Sequence, residues 1–145
     1  MQIEEIRKAD LNFLCIHEAT DMEFHNSDEV YEDMKAEARI DRECMWILHL
    51  INGRVIEKEL VSMGSGNSAI TTPREVFRRA IVKGANKIIV VHNHPSGDPT
   101  PSDADIEVSA RYVEAGKLLG IPLLDFFIIG TKGYTSFANA RLGGF

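Results

Sequence analysis

Apolar and polar residues alternate along this chain with two different periods, and the switches between them mark its elements. The run SDEVYEDMKAEAR, residues 27–39, places Val30, Tyr31, Met34 and Ala38 on one stripe at helical spacing. Ser27 fits an N-cap there, with Asp28 and Glu29 in the first turn. In ECMWILHLINGRVIEKELVSMG the Asn52-Gly53 pair separates two apolar-rich runs, which predicts a hairpin pairing residues 44–50 with 55–61. TTPREVFRRAIVKGA reads as a helix with Thr72 as N-cap, Pro73 first, Glu75 closing a capping box and Gly84 as the stop. KIIVV is a buried strand rich in β-branched residues. A helix then runs from Asp103 to a stop at Gly120 and Pro122. LLDFFIIG is a second buried strand, and GYTSF a short last one after the turn at Lys132-Gly133. Residues 1–26 are less regular, with LNFLCI as a candidate edge strand. The order αββαβαββ predicts an α/β fold, a mixed β-sheet with helices packed on it.

Length and composition narrow the classes available. At 145 residues the chain suits one domain, residues 1–145, able to bury a real core. No apolar run approaches the roughly 20 residues of a membrane span, and the start MQIEEIRKAD has no apolar core of the signal-peptide kind. The expectation is a cytoplasmic protein with no membrane contact. Cys15 and Cys44 form no C-x-x-C pair, so neither a disulfide framework nor a cysteine zinc site is expected. Formal net charge is -6 and the pI about 5.3. A protein living on phosphate contacts needs a basic face, so autonomous nucleic-acid binding is not expected.

The chemistry concentrates in HNHPSGDPTPSDAD, residues 92–105. Residues i and i+2 of a strand share a face, so His92 and His94 project together from the end of KIIVV, where ligands collect in α/β folds. Asp105 falls in the first turn of the next helix. Two imidazoles and one carboxylate converging there offer three ligands and leave a fourth tetrahedral position open, the pattern of catalytic zinc. A competing reading stands beside it: SDAD fits a capping box in which Asp105 only reaches back to the Ser102 N–H. Other two-histidine motifs fit less well. H-x-H-x-D-H fails at Ser96. An amidohydrolase needs a barrel of about 250 residues, and a zinc deaminase needs a P-C-x-x-C that is absent.

At H-x-H-x7-S-x-x-D, formed by His92, His94, Ser102 and Asp105, the sequence resembles the JAMM (JAB/MPN-type) metalloprotease motif. From about residue 41 to residue 137 it resembles the RadC family, including the HNHPSGDPTPS signature. The resemblance implies a JAMM/MPN-like, deaminase-like three-layer sandwich. It also implies one zinc ion per chain, held by His92, His94 and Asp105. A glutamate that activates the bound water corresponds to Glu43, and the family's serine, placed to assist a developing oxyanion, corresponds to Ser102. Two departures stand out. Full-length family members carry an N-terminal helix-hairpin-helix region, whereas only a short stretch precedes Glu43. The family's DHIIIG reads DFFIIG, with Phe126 in place of the histidine.

Without the resemblance Glu43 is one glutamate among several. Glu37 competes; Glu75 has a capping role; Glu57 and Glu59 share one strand face and are expected in solvent. His49, His17 and His25 read as packed or surface histidines. Cys44 should point away from Glu43, into the core. Asp98 reads as a turn residue, with a hydrogen bond to a ligand histidine as a second role, and Trp46, Phe126 and Phe127 as core. The functional expectation is a zinc-dependent hydrolase acting on a peptide or isopeptide substrate, with Glu43 as general base. Against it stands a non-catalytic, metal-containing binding module associated with DNA repair or a protein partner. A metal-dependent nuclease is disfavoured by the acidic pI and by a single three-ligand site.

Overall fold

A computed structural model describes residues 17–64 and 71–145. Their elements are β1 (His17–Glu23), α1 (Ser27–Met34), a 3-10 turn (Lys35–Arg39), β2 (Cys44–Ile51), β3 (Arg54–Met63), α2 (Pro73–Val82), β4 (Lys87–Asn93), α3 (Asp103–Leu119), β5 (Leu123–Gly130), β6 (Gly133–Ser136) and α4 (Phe137–Ala140). The strands form one mixed sheet in the order β1-β3-β2-β4-β5-β6. Only β4 and β5 are parallel, as the crossover through α3 requires.

Strand alternation divides the core in two. Met45 and Ile47 of β2, Ile88 and Val90 of β4, and Phe126 and Ile128 of β5 meet Val76, Phe77 and Ala80 of α2 and Val108, Tyr112 and Val113 of α3. On the opposite face Cys44, Trp46, Leu48, Ile89, Val91, Phe127 and Ile129 meet Val30, Met34, Ala38 and Ile40. The result is the three-layer α/β sandwich expected from the sequence. Trp46, Phe126 and Phe127 lie in the core, and Cys44 is on the face opposite Met45.

Local expectations fare unevenly. The hairpin forms through Asn52 and Gly53, whose φ angles of 51° and 81° are those a tight two-residue turn demands. The first helix is capped by Asn26, whose Oδ1 accepts the Glu29 N–H at 3.0 Å, and not by Ser27. It is also shorter than its stripe, tightening into the 3-10 turn after Met34. Thr72 caps α2 as predicted, but Glu75 does not close the box: its carboxylate takes Arg78 and Arg79 instead. Glu59 is buried, not in solvent, because β1 covers β3 on one side and Arg79 of α2 reaches it at 2.7 Å. Glu57 pairs with Lys83 at 2.9 Å. LNFLCI lies outside the described residues; the edge strand that is described, β1, follows it directly.

Candidate metal centre

Strand β4 sits between β2 and β5, so its end opens onto a site with walls on both sides. His92 continues the row of Ile88 and Val90 toward α3 and is 2% exposed. His94 is the first residue past the strand; its N–H donates to the Ile129 carbonyl of β5 at 2.8 Å, which keeps it in line. The two rings lie edge to face, centroids 5.3 Å apart. The chain then turns at Pro95 and Gly97, and α3 begins at Asp103 with Ser102 as N-cap.

Asp105 joins these parts. Its Oδ1 lies 3.1 Å from His92 Nδ1 and its Oδ2 3.1 Å from His94 Nε2. The capping box forms as well: Ser102 N donates to Asp105 Oδ2 at 2.8 Å, and Asp105 N to Ser102 Oγ at 3.1 Å. The two readings of SDAD are therefore not alternatives. The box fixes the rotamer that aims the carboxylate at the histidines. Burial pushes the Asp105 carboxyl up, but the hydrogen bonds from His92, His94 and the Ser102 N–H outweigh it and hold it well below the usual carboxylate range. The same contact with Asp105 raises the His94 pKa against the pull of burial, with smaller upward contributions from the Asp98 carbonyl and the charge of Glu43.

The loop supplies a second support for His94. The Asp98 carboxylate accepts from Thr100 N at 3.0 Å and Thr100 Oγ1 at 2.7 Å, closing a tight turn. That turn presents the Asp98 backbone carbonyl to His94 Nδ1 at 3.0 Å. With Nδ1 committed to that carbonyl, Nε2 is the nitrogen turned to Asp105, where it donates to the carboxylate and, once its proton is lost, would offer a lone pair to a metal. Asp98 thus fills both roles foreseen for it, the turn through its carboxylate and the hydrogen bond to His94 through its backbone oxygen.

Glu43 stands half-buried immediately before β2. Met45 pairs with His92 in an unbroken antiparallel register. Glu43 lies two residues before Met45, which puts it on the same side of the chain by strand alternation, and its charge acts on the His94 ring. Ser102 is exposed beside the cluster, and accepting the Asp105 N–H does not consume its own O–H. Hydrogen bonds join His92, His94, Ser102 and Asp105, and Glu43 is near enough to act on His94 through its charge.

The donor set suits a divalent metal ion. His92, His94 and Asp105 each offer a ligand atom within 4.8 Å of the others. His92 Nε2 is buried without a hydrogen-bond partner, a state that a ligand normally relieves. His49, Glu57 and Glu59 also come together, at the other end of β2. There Arg79 and Lys83 already neutralise the carboxylates, at 2.7 and 2.9 Å, so that group is an ion-pair network. His49 is packed, as expected, with Nε2 2.9 Å from Glu59 Oε1. Sequence alternation gave no sign of this network.

Residues 24–142 match the family described as "RadC-like JAB domain". The chain belongs to this family. Among similar curated proteins are three UPF0758 proteins. That of Caldanaerobacter subterraneus subsp. tengcongensis is 52% identical over 95 residues, covering 60% of this chain and 41% of the relative. That of Geotalea uraniireducens is 43% identical over 118 residues, 80% of this chain and 52% of the relative. YsxA of Bacillus subtilis is 48% identical over 107 residues, 74% and 46%. The chain therefore spans about half the length of these relatives. Membership of a JAB family supports a metal-dependent, hydrolase-like module in general terms. Among the described residues no helix is long and apolar enough to cross a membrane.

Proposed function

We propose that this RadC-like JAB domain is a zinc-dependent amide hydrolase of the metallopeptidase or isopeptidase type. The observation that carries the reading is the convergence of His92, His94 and Asp105 at the end of β4, with His92 Nε2 buried and unpartnered. His92, His94 and Asp105 would hold the ion, one per chain, and leave one side open toward Glu43 and Ser102. Zinc bound there would supply a water of lowered pKa and a Lewis acid for a carbonyl.

The chain's own groups account for the rest. Glu43, whose charge is felt at His94, accepts a proton from the attacking water and hands it to the leaving amine, the two tasks of a general acid–base. The Ser102 O–H donates toward the oxygen on which negative charge develops. Asp98 fixes the tautomer of His94 through its carbonyl, and Ser102 N fixes Asp105. The net charge of -6 favours a peptide or isopeptide over a polyanionic substrate.

Metal analysis followed by turnover tests the proposal. Wild-type protein loaded with excess zinc and desalted should retain about one ion per chain, the count for a single three-ligand site. His92→Ala and Asp105→Ala should retain none while keeping the wild-type circular dichroism spectrum, since both cores lie in the sheet and helices. A wild-type protein that keeps no zinc would sink the metal reading. Zinc retained without turnover on peptide, isopeptide and DNA panels would point to the non-catalytic module. Cleavage of DNA alone would point to a nuclease.

A further inference from the structure

Between the two histidines stands a residue that faces the other way. Asn93 continues the row of Ile89 and Val91 on the α1 side of the sheet and is 0% exposed. Its Oδ1 accepts the Cys44 N–H, and its Nδ2 donates to the Arg42 carbonyl at 2.9 Å and the Ile40 carbonyl at 3.3 Å, with the Glu37 carbonyl at 3.5 Å. These groups belong to the segment that leads from α1 into β2. Two of them, Arg42 O and Cys44 N, lie on either side of Glu43.

We infer that Asn93 is a positioning residue for Glu43, locking the glutamate-bearing segment to the strand that carries His92 and His94. The inference rests on the proposed hydrolase reading, but the contact it invokes stands without a metal. With residues 42 and 44 pinned on the α1 face, the side chain between them is turned to the opposite face, where His94 lies. Glu43 has only one other described backbone tie, its carbonyl accepting the Gly64 N–H at 2.9 Å.

The chemistry of the clamp requires a short carboxamide. One end must accept an N–H and the other must donate to carbonyls, all in a buried site. An aspartate would keep the acceptor and turn a carboxylate toward two or three carbonyl oxygens. An alanine would leave the N–H and the carbonyls without partners. The backbone of β4 thus sets His92, His94 and, through Asn93, Glu43 in one frame. That is the geometry in which a small displacement of the base costs rate while leaving the ligands untouched.

Paramagnetic NMR tests this without a substrate. Cobalt(II) loaded in place of zinc should shift the wild-type amides of Glu43 and Cys44, and equally those of Ala104 and Ile106 on the other side of the site. In Asn93→Ala the shifts at Glu43 and Cys44 should fall by more than half, while those at Ala104 and Ile106 persist. Asn93→Asp, the milder variant should alanine prevent folding, should lose the shift at Glu43 and keep more of that at Cys44. On any amide that wild type cleaves, both should lower kcat with KM unchanged, by up to about 10²-fold. Wild-type shifts at Glu43 in both variants would overturn the inference. So would loss of the Ala104 and Ile106 shifts together with those of Glu43. If cobalt shifts nothing in wild type, the metal reading fails instead, and amide exchange decides the clamp: the Cys44 N–H must exchange faster in the metal-free variants, and unchanged exchange there would sink it.

Discussion

Glu43 and Ser102 reach the histidine pair from different elements, so altering them separates holding a metal from using it. A general base, the role proposed for Glu43, moves protons but does not hold the ion. Glu43→Gln should therefore leave zinc stoichiometry unchanged and lower hydrolysis by about 10²-fold or more, the usual contribution of general acid–base catalysis. Ser102→Ala removes the proposed oxyanion donor and a helix cap together. Its rate should fall between wild type and Glu43→Gln, with a loss of about 1 kcal/mol in stability from the cap. Zinc counting, kinetics on a cleaved amide and urea melts of the same preparations check both. Full activity in Glu43→Gln would remove it from the mechanism. Loss of zinc in that variant would make the glutamate a ligand and close the open position.

At the scale of elements, the loop from His94 to Ser102 is held by the turn between β5 and β6. Gly130 ends β5, and a methyl group there would run into the Gly97 carbonyl; Lys132 N donates to that same oxygen at 3.0 Å. Gly97 itself has φ 89°, a conformation that disfavours any side chain. Gly130→Ala should push this loop outward, and His94 with it. Zinc affinity should fall by about 10- to 100-fold, the scale on which groups that orient a ligand act. Competition against a chelator measures this, and an unchanged affinity would show that the loop is not braced there. This stretch was legible in sequence because its punctuation is local: a buried run, Pro95 and Gly97, then S-x-x-D. Elements set by distant contacts were not. The stripe from Val30 to Ala38 reads as one helix, yet the backbone tightens after Met34, where the carbonyls of Glu37 and Ile40 turn to Asn93. HEATDME of β1 carries no alternation to announce a strand, and FANA of α4 is a single turn.

On the scale of the whole molecule, β2 links two polar clusters of different purpose. One end meets the histidine pair; the other carries His49, against Glu59 and Arg79. Strand alternation alone makes Glu59 solvent-facing, as charged residues on a strand usually are, and only the packing of β1 and α2 reverses that. Burial raises its carboxyl, but contacts with His49 and Arg79 prevail and lower it. The fold therefore binds the ionised form more strongly than the unfolded chain does. That stabilisation is complete above the unfolded value of about 4.3 and is lost as pH falls through the lower folded value. Glu59→Gln keeps the shape and removes the charge beside Arg79. At neutral pH it should destabilise the protein by about 3 kcal/mol, as breaking a buried pair does. The gap between variant and wild type should narrow as pH drops through the acid range, because wild type then loses the same charge. Zinc content at neutral pH should not change, since Ile47 and Met45 separate this cluster from His92 along the strand. Urea melts across pH, with zinc analysis of the folded variant, decide the matter. A gap that stays constant into acid would mean that Glu59 stabilises by packing, and loss of zinc would mean that the two ends of the sheet are coupled.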